Sequence, residues 1–233
     1  MKALIVDDDG LMATTIAALL QRRGVAVQVA SDGAGALARL AAQEFDAVLL
    51  DMRLRGESGL DVLAEVRARG LTTPVVVLSG DMEVHSKVAA FRAGADDYVT
   101  KPFRIDEVLA RLAAVVRRPR QVQPTTLRVG GLEIEPGSLA VRAGGRAVVL
   151  TVKEFELLQA LAQAQGRILT KEDLIDRLYP APGGPGARII DVFLCKLRRK
   201  LARAAGHKAR IETVWGAGYR LVEAEALAEP LSA

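Results

Sequence analysis

Ala3-Leu4-Ile5-Val6-Asp7-Asp8-Asp9 passes from four apolar residues straight into three carboxylates. A short apolar run with β-branched members suits a buried strand, and the carboxylates mark where it must leave the core. The pattern recurs. Ala47-Val48-Leu49-Leu50 ends in Asp51, Val75–Leu78 ends in Ser79, Asp97–Val99 leads to Lys101, and Ala26–Ala30 is a fifth run. Between the runs, apolar residues fall at helical spacing, as at Leu11, Thr15, Ala18 and Leu19 or at Val62, Leu63 and Val66. The stretch 105–117 carries Val108, Leu109, Leu112, Val115 and Val116 on one face. Five βα units predict an α/β fold, a doubly wound parallel sheet with helices on both sides.

The stretch Arg117-Arg118-Pro119-Arg120-Gln121-Val122-Gln123-Pro124-Thr125 is polar, holds two prolines and has no apolar period, so it reads as a linker. The chain is expected to divide into a first domain over 1–118, a linker over 119–125, a second domain over 126–225 and a tail over 226–233. The second domain opens with β-like segments at 127–135, 139–142 and 147–150, punctuated by Pro136-Gly137 and Gly144-Gly145. Thr151-x-x-Glu154 and Thr170-x-x-Asp173 mark two helix starts, the first as a full capping box. A third helix is expected from about 187 to 204, then a hairpin of 210–214 and 219–222 turning at Gly216-Ala217-Gly218. Sheet, three helices and closing hairpin make a winged helix-turn-helix.

Composition bounds the function. Of 233 residues, 50% are hydrophobic and 26% charged, as in an ordinary globular chain. No apolar run approaches the roughly 20 residues of a membrane helix, and Asp7 to Asp9 end the first run too soon for a signal peptide. The lone Cys195 excludes an intrachain disulfide, which fits a cytoplasmic protein. The net charge of +4 is uneven: residues 1–118 hold 15 Lys and Arg against 16 Asp and Glu, residues 119–233 hold 17 against 12. The basic excess lies in the second half, where a polyanion is expected.

Ligands of an open α/β sheet bind at the carboxyl ends of the strands. Asp7, Asp8, Asp51, Ser79 and Lys101 all fall there. Such clustered carboxylates repel unless a cation compensates, and hard oxygen donors favour Mg²⁺. A carboxylate nucleophile beside Mg²⁺ can accept a phosphoryl group as an acyl phosphate. Val6-Asp7-Asp8, Leu49-Leu50-Asp51, Leu78-Ser79 and Tyr98-Val99-Thr100-Lys101-Pro102-Phe103 together resemble the motifs of response-regulator receiver domains, whose fold is flavodoxin-like. The resemblance covers residues 1–118. It implies Asp51 as phosphoacceptor, Asp8 as direct Mg²⁺ ligand, Asp7 acting through water, and Arg53 giving its backbone carbonyl. It further implies that Ser79 bonds the phosphoryl group, Lys101 neutralises it, the Lys101–Pro102 bond is cis, and Ser79 and Tyr98 form a switch pair. Arg55 stands where the family usually has proline. An Arg53–Asp81 pair across the path of the hydrolytic water would lengthen the phosphorylated lifetime; two solvated surface charges are the other reading.

Gly94-Ala95-Asp96-Asp97-Tyr98 and Asp106–Arg111 are similar to the OmpR/PhoB subfamily. By position, that implies a homodimer in which Lys87 pairs with Glu107, and Asp97 with Arg111, across a two-fold axis. In the third helix of the second domain, Ile190, Leu194, Leu197 and Leu201 form an apolar stripe opposite Arg188, Val192, Lys196 and Arg199. A helix apolar behind and basic in front suits the major groove of double-stranded promoter DNA. Residues 188–201 and 211–219 most resemble the alphaproteobacterial cell-cycle branch of this subfamily. That implies base contacts from Ile189, Asp191, Val192 and Lys196 and phosphate contacts from Arg188, Arg198 and Arg199. In the wing, relatives carry an arginine where this chain has Trp215 or Ala217, leaving Arg220 or Arg210 to substitute. The loop 179–186 falls where relatives meet RNA polymerase, though a plain connector reads equally well. The expected function is a transcription regulator and no enzyme, its Asp51 loaded by a sensor histidine kinase or a histidine phosphotransferase. The alternatives are a phosphorylation-independent DNA-binding regulator whose receiver only dimerises, and a phosphatase-like enzyme. The latter is disfavoured because Arg53 stands where a general acid would be needed.

Overall fold

The computed structural model of the chain describes residues 1–81, 83–116, 126–180, 184–204 and 206–223. The expected linker and tail, and 181–183 of the loop 179–186, lie outside them. The first half runs β1 (Lys2–Val6), α1 (Gly10–Gln21), β2 (Ala26–Ala30), α2 (Gly33–Ala42), β3 (Ala47–Asp51), the small hairpin β4 (Arg53–Leu54) and β5 (Glu57–Ser58), α3 (Gly59–Ala68), β6 (Val75–Ser79), α4 (Val84–Ala93), β7 (Asp97–Thr100) and α5 (Ile105–Val116). Five strands pair in parallel in the order β2-β1-β3-β6-β7. The chain winds outward both ways from between β1 and β3, so a crevice opens at their carboxyl ends. Register completes it: Val6 pairs with Leu50, Asp51 with Leu78 and Ser79 with Thr100.

Alternation along the strands supplies both faces of the core. Ile5, Leu49, Val76 and Leu78 meet Ile16 and Leu20 of α1 and Val108 and Leu112 of α5. Leu4, Leu50, Val75 and Val77 meet Leu40, Leu63, Val66 and Phe91 from α2, α3 and α4. The third carboxylate of the opening run is a cap: Asp9 accepts from the amides of Leu11 and Met12 at 3.0 Å each and starts α1.

The second half holds an antiparallel sheet of β8 (Leu127–Val129), β9 (Leu132–Glu135), β10 (Ala140–Ala143) and β11 (Arg146–Ala147), ordered β11-β10-β9-β8. Helices α6 (Val152–Gln163), α7 (Lys171–Leu178) and α8 (Arg188–Arg203) follow, and the hairpin β12 (Ala209–Val214) and β13 (Gly218–Glu223) closes the domain. Thr151 and Thr170 both form capping boxes. Leu169 and Tyr219 exchange backbone bonds, seating the hairpin beside α7. Two segments differ from expectation. The stretch 127–135 is two strands, because Gly130 (φ 50°) and Gly131 (φ 83°) make a left-handed hairpin turn. Of 147–150 only Ala147 stays in the ladder; Val148 keeps one bond to Val141 before the chain turns into the Thr151 cap. Among the described residues no helix is long and apolar enough to cross a membrane.

Gly59 starts α3 directly beneath the carboxylate edge, and a Cβ there would stand 2.2 Å from the Asp51 carbonyl oxygen. Gly59→Ala should therefore lower stability by about 1–3 kcal/mol, the usual cost of overpacking, read as a lower urea midpoint. An unchanged midpoint would contradict this packing.

Candidate functional site

The aligned strand ends bring the predicted carboxylate site together. Asp7 leaves β1, Asp51 ends β3, Ser79 ends β6 and Lys101 follows β7. Asp7 and Ser79 are buried, and Asp51 is 8% exposed. Lys101 Nζ donates to Asp51 Oδ2 at 2.6 Å and to Asp7 Oδ2 at 3.4 Å. Burial pushes the Asp7 carboxyl above its ordinary range; the Asp9 amide and Lys101 oppose the shift, and the charge of Asp51 adds to it. Burial works to lower the Lys101 ammonium, yet its bond to and charge attraction for Asp51, with Asp7 behind it, carry the net shift upward. Lys101 is thus held as a cation between two carboxylates. Asp8 lies outward with its side chain 28% exposed, 4.0 Å from Arg55. The Lys101–Pro102 bond is cis, as expected.

Asp7, Asp8 and Asp51 are hard oxygen donors with more negative charge than Lys101 neutralises, and that set fits a divalent cation. Among the described residues no three acidic, His or Cys side chains form a ready-made metal cage. Mg²⁺ does not need one, since it is ordinarily held by one or two carboxylates and keeps several waters. The Arg53 amide donates to Asp51 Oδ1 at 3.3 Å, which ties this loop to the Asp51 carboxylate.

Beside the carboxylates, Ser79 Oγ accepts from the Asp81 amide at 3.0 Å, and Tyr98 donates its hydroxyl to the Asp81 carbonyl at 2.8 Å. Both expected switch residues therefore bond the same residue at the entry to α4. The Asp81 carboxyl is pulled below its ordinary range by the Ser86 hydroxyl and the Glu83 amide; Arg53 adds to this as a nearby charge.

The expected dimer residues lie on α4, β7 and α5, but they are engaged within the chain. Arg111 pairs with Asp97 at 3.3 Å, both buried, and reaches Glu107 at 3.8 Å. Lys87 Nζ sits 5.6 Å over the Tyr98 ring.

On α8 the stripe Ile190, Leu194, Leu197 and Leu201 is buried, as expected. Arg188 and Arg199 are exposed. Asp191 accepts from Tyr219 at 2.6 Å and from Lys171 at 2.7 Å. Arg198 binds the Ile211 carbonyl at 3.1 Å and Thr213 Oγ1 at 2.8 Å, which fixes the helix to the wing. Arg220 is held by Glu212 at 2.9 Å, whereas Trp215 at the wing tip is 92% exposed. Ile189 and Val192 are buried instead of facing outward, and Lys196 Nζ donates to the Phe91 carbonyl of α4 at 3.1 Å. Sequence reading missed Phe91, Phe193 and Tyr179, which join the two halves. Phe193 shows a faint signal, being an aromatic residue just off the apolar stripe.

The comparisons agree with this geometry. The model of the response regulator receiver domain matches residues 3–113, and that of the transcriptional regulatory protein C-terminal domain matches residues 145–221. The cell cycle transcriptional regulator CtrA of Caulobacter vibrioides is 41% identical over 221 residues, 95% of this chain and 96% of that protein. The cell cycle response regulator CtrA of Brucella ovis is 38% identical over 226 residues, 97% of each. A solved structure of a RitR variant superposes with a TM-score of 0.76 at 26% identity, covering 95% of this chain and 99% of its own. A receiver carrying a carboxylate edge, joined to a winged helix whose third helix is rich in Lys and Arg, places the chain among the OmpR/PhoB-type two-component response regulators that regulate transcription, and among these it is CtrA-like.

Proposed function

We propose that Asp51 accepts a phosphoryl group and that its loading controls binding of promoter DNA by α8 and the wing. The receiver is taken as residues 1–118 and the DNA-binding domain as residues 126–225. The observation that carries the reading is the Lys101 ammonium shared by Asp51 and Asp7 at the carboxyl edge of the sheet. A histidine kinase or histidine phosphotransferase in the cytoplasm is the donor. An Asp51 carboxylate oxygen forms the new P–O bond as the P–N bond to the donor imidazole breaks, and the electron pair of that bond returns to the imidazole. Asp8, Asp51, the Arg53 carbonyl and, through water, Asp7 would hold Mg²⁺, which would supply positive charge against the phosphoryl oxygens. Lys101 then turns from bridging two carboxylates to pairing with the phosphoryl group, and the Ser79 hydroxyl is placed to donate to it. Hydrolysis returns Asp51 to its carboxylate, so turnover is confined to the chain's own phosphoryl group.

Drawing Ser79 toward a phosphoryl oxygen breaks its bond with the Asp81 amide. Tyr98 holds the carbonyl of that same residue, so the change passes into the entry of α4. The α4–β7–α5 face then serves a homodimer, with Lys87, Asp97, Glu107 and Arg111 as its charged residues. Dimerisation raises the effective concentration of the second reading helix at an adjacent half-site. Arg188, Arg198 and Arg199 contact phosphates, Ile189, Asp191, Val192 and Lys196 contact bases, and Trp215 and Arg220 present the wing.

Two measurements test this reading. Lys101→Ala should slow phosphoryl incorporation from acetyl phosphate by about 10²-fold or more, as loss of a charge-stabilising group commonly does. Chelation of divalent ions should abolish it, and an unchanged rate in either case would contradict the site. With duplexes selected from a random pool, acetyl phosphate should tighten binding by the wild-type chain and leave Asp51→Ala unaffected. Equal tightening of both would contradict control through Asp51.

A further inference from the structure

The loop that follows Asp51 is a hairpin tied to a distant helix. Arg53 pairs with Ser58 and Leu54 with Glu57, which leaves Arg55 and Gly56 as the two residues of the turn. Gly56 takes a φ of 82° at the second position. Such a turn favours proline at the first position, where the ring presets φ and removes freedom from the chain. Arg55 fills that position with a side chain 89% exposed, 4.0 Å from Asp8. The turn therefore lacks the ring that would stiffen it.

Glu57 supplies a restraint from outside the turn. From β5 it reaches α2, accepting from the Gly33 amide at 2.5 Å across 24 positions of chain. Both carboxylate oxygens lie against that glycine: a Cβ on Gly33 would stand 2.6 Å from Oε2 and 3.0 Å from Oε1. Gly33 opens α2, where the amide has no partner within the helix and the dipole favours a carboxylate. The Asp32 cap serves a different amide, that of Gly35 at 2.6 Å. On the other strand of the hairpin, Leu54 is buried in the core and the Arg53 amide bonds Asp51.

We propose that Glu57 is a positioning residue for the divalent cation. It fastens β5 to α2 and, through the Arg53–Ser58 pair, holds the Arg53 carbonyl in place as a ligand. The inference rests on the proposed role of that carbonyl. Mg²⁺ demands near-octahedral geometry, so a ligand on a loose turn serves it poorly. The tether does for this hairpin what a proline at position 55 would do. Glu57 also carries a charge, and charge and position make different predictions. Glutamine keeps an acceptor for the Gly33 amide and drops the charge, whereas alanine drops both.

Calorimetric titration of Mg²⁺ into the full-length chain separates them. Glu57→Ala should weaken Mg²⁺ binding about three- to tenfold, less than the usual outer-shell effect because Glu57 acts through the strand pair. Glu57→Gln should stay within about twofold of wild type, since the bond behind the ligand survives. Adding Arg55→Pro to Glu57→Ala should recover most of the loss. Adding Arg55→Ala instead, which removes the same charge beside Asp8 without stiffening the turn, should recover less. Equal Mg²⁺ affinity in Glu57→Ala and wild type, with only a lower urea midpoint, would make Glu57 a plain helix cap and overturn the proposal. Equal weakening in Glu57→Ala and Glu57→Gln assigns the effect to charge and overturns it as well. No measurable Mg²⁺ binding by the wild-type chain overturns the reading of the carboxylate edge, and this inference with it.

Discussion

Lys101 Nζ stands 2.6 Å from Asp51 and 3.4 Å from Asp7, and this ammonium lets two carboxylates sit close together and out of solvent at a sheet edge. The sheet forces the carboxylates together, because parallel strands in register end side by side and a doubly wound order leaves a crevice where the winding reverses. Without a compensating cation the edge would carry the cost of burying like charges. On the proposed function, the surplus negative charge beyond Lys101 is what suits the edge to a divalent ion and a phosphoryl group.

From that edge the route to α8, the proposed DNA-reading helix, is short. Ser79 and Tyr98 hold the amide and the carbonyl of Asp81, the approach to α4. The other end of α4 carries Phe91, which is both a core residue of the receiver and the partner of Phe193. Interfaces between domains of one chain resemble transient protein–protein interfaces, and this one consists of a few polar bonds around an aromatic pair.

The carboxylate edge was legible in the sequence because its signals are local: an apolar run ended by a polar residue says both strand and strand end. The Thr151 box followed from equally local chemistry, whereas the sequence reading did not single out Asp9 as a cap. The α4–α8 contact was not legible, since nothing in the spacing of Phe91 and Phe193 says that they meet. Asp97 and Arg111 show the same limit. Opposite charges on a strand and the following helix fit a bond within one chain as well as one between two, and here they pair within it. Lys196 looked like a groove contact for the reason that it suits α4: a long cationic side chain on the outer row of α8 serves any partner rich in carbonyl or phosphate oxygen. The break at Gly130-Gly131 had a local signal that the sequence reading passed over: the apolar alternation changes phase between Val129 and Leu132, and Gly-Gly suits a two-residue hairpin turn.

The central claim is that the carboxylate edge exists to load Asp51. Intact-mass measurement of the full-length chain after incubation with acetyl phosphate and Mg²⁺ tests it most directly. The account predicts one phosphoryl group per wild-type chain, mapped to Asp51 and lost in Asp51→Ala. No added group on the wild-type chain, or a group that persists in Asp51→Ala, would contradict it.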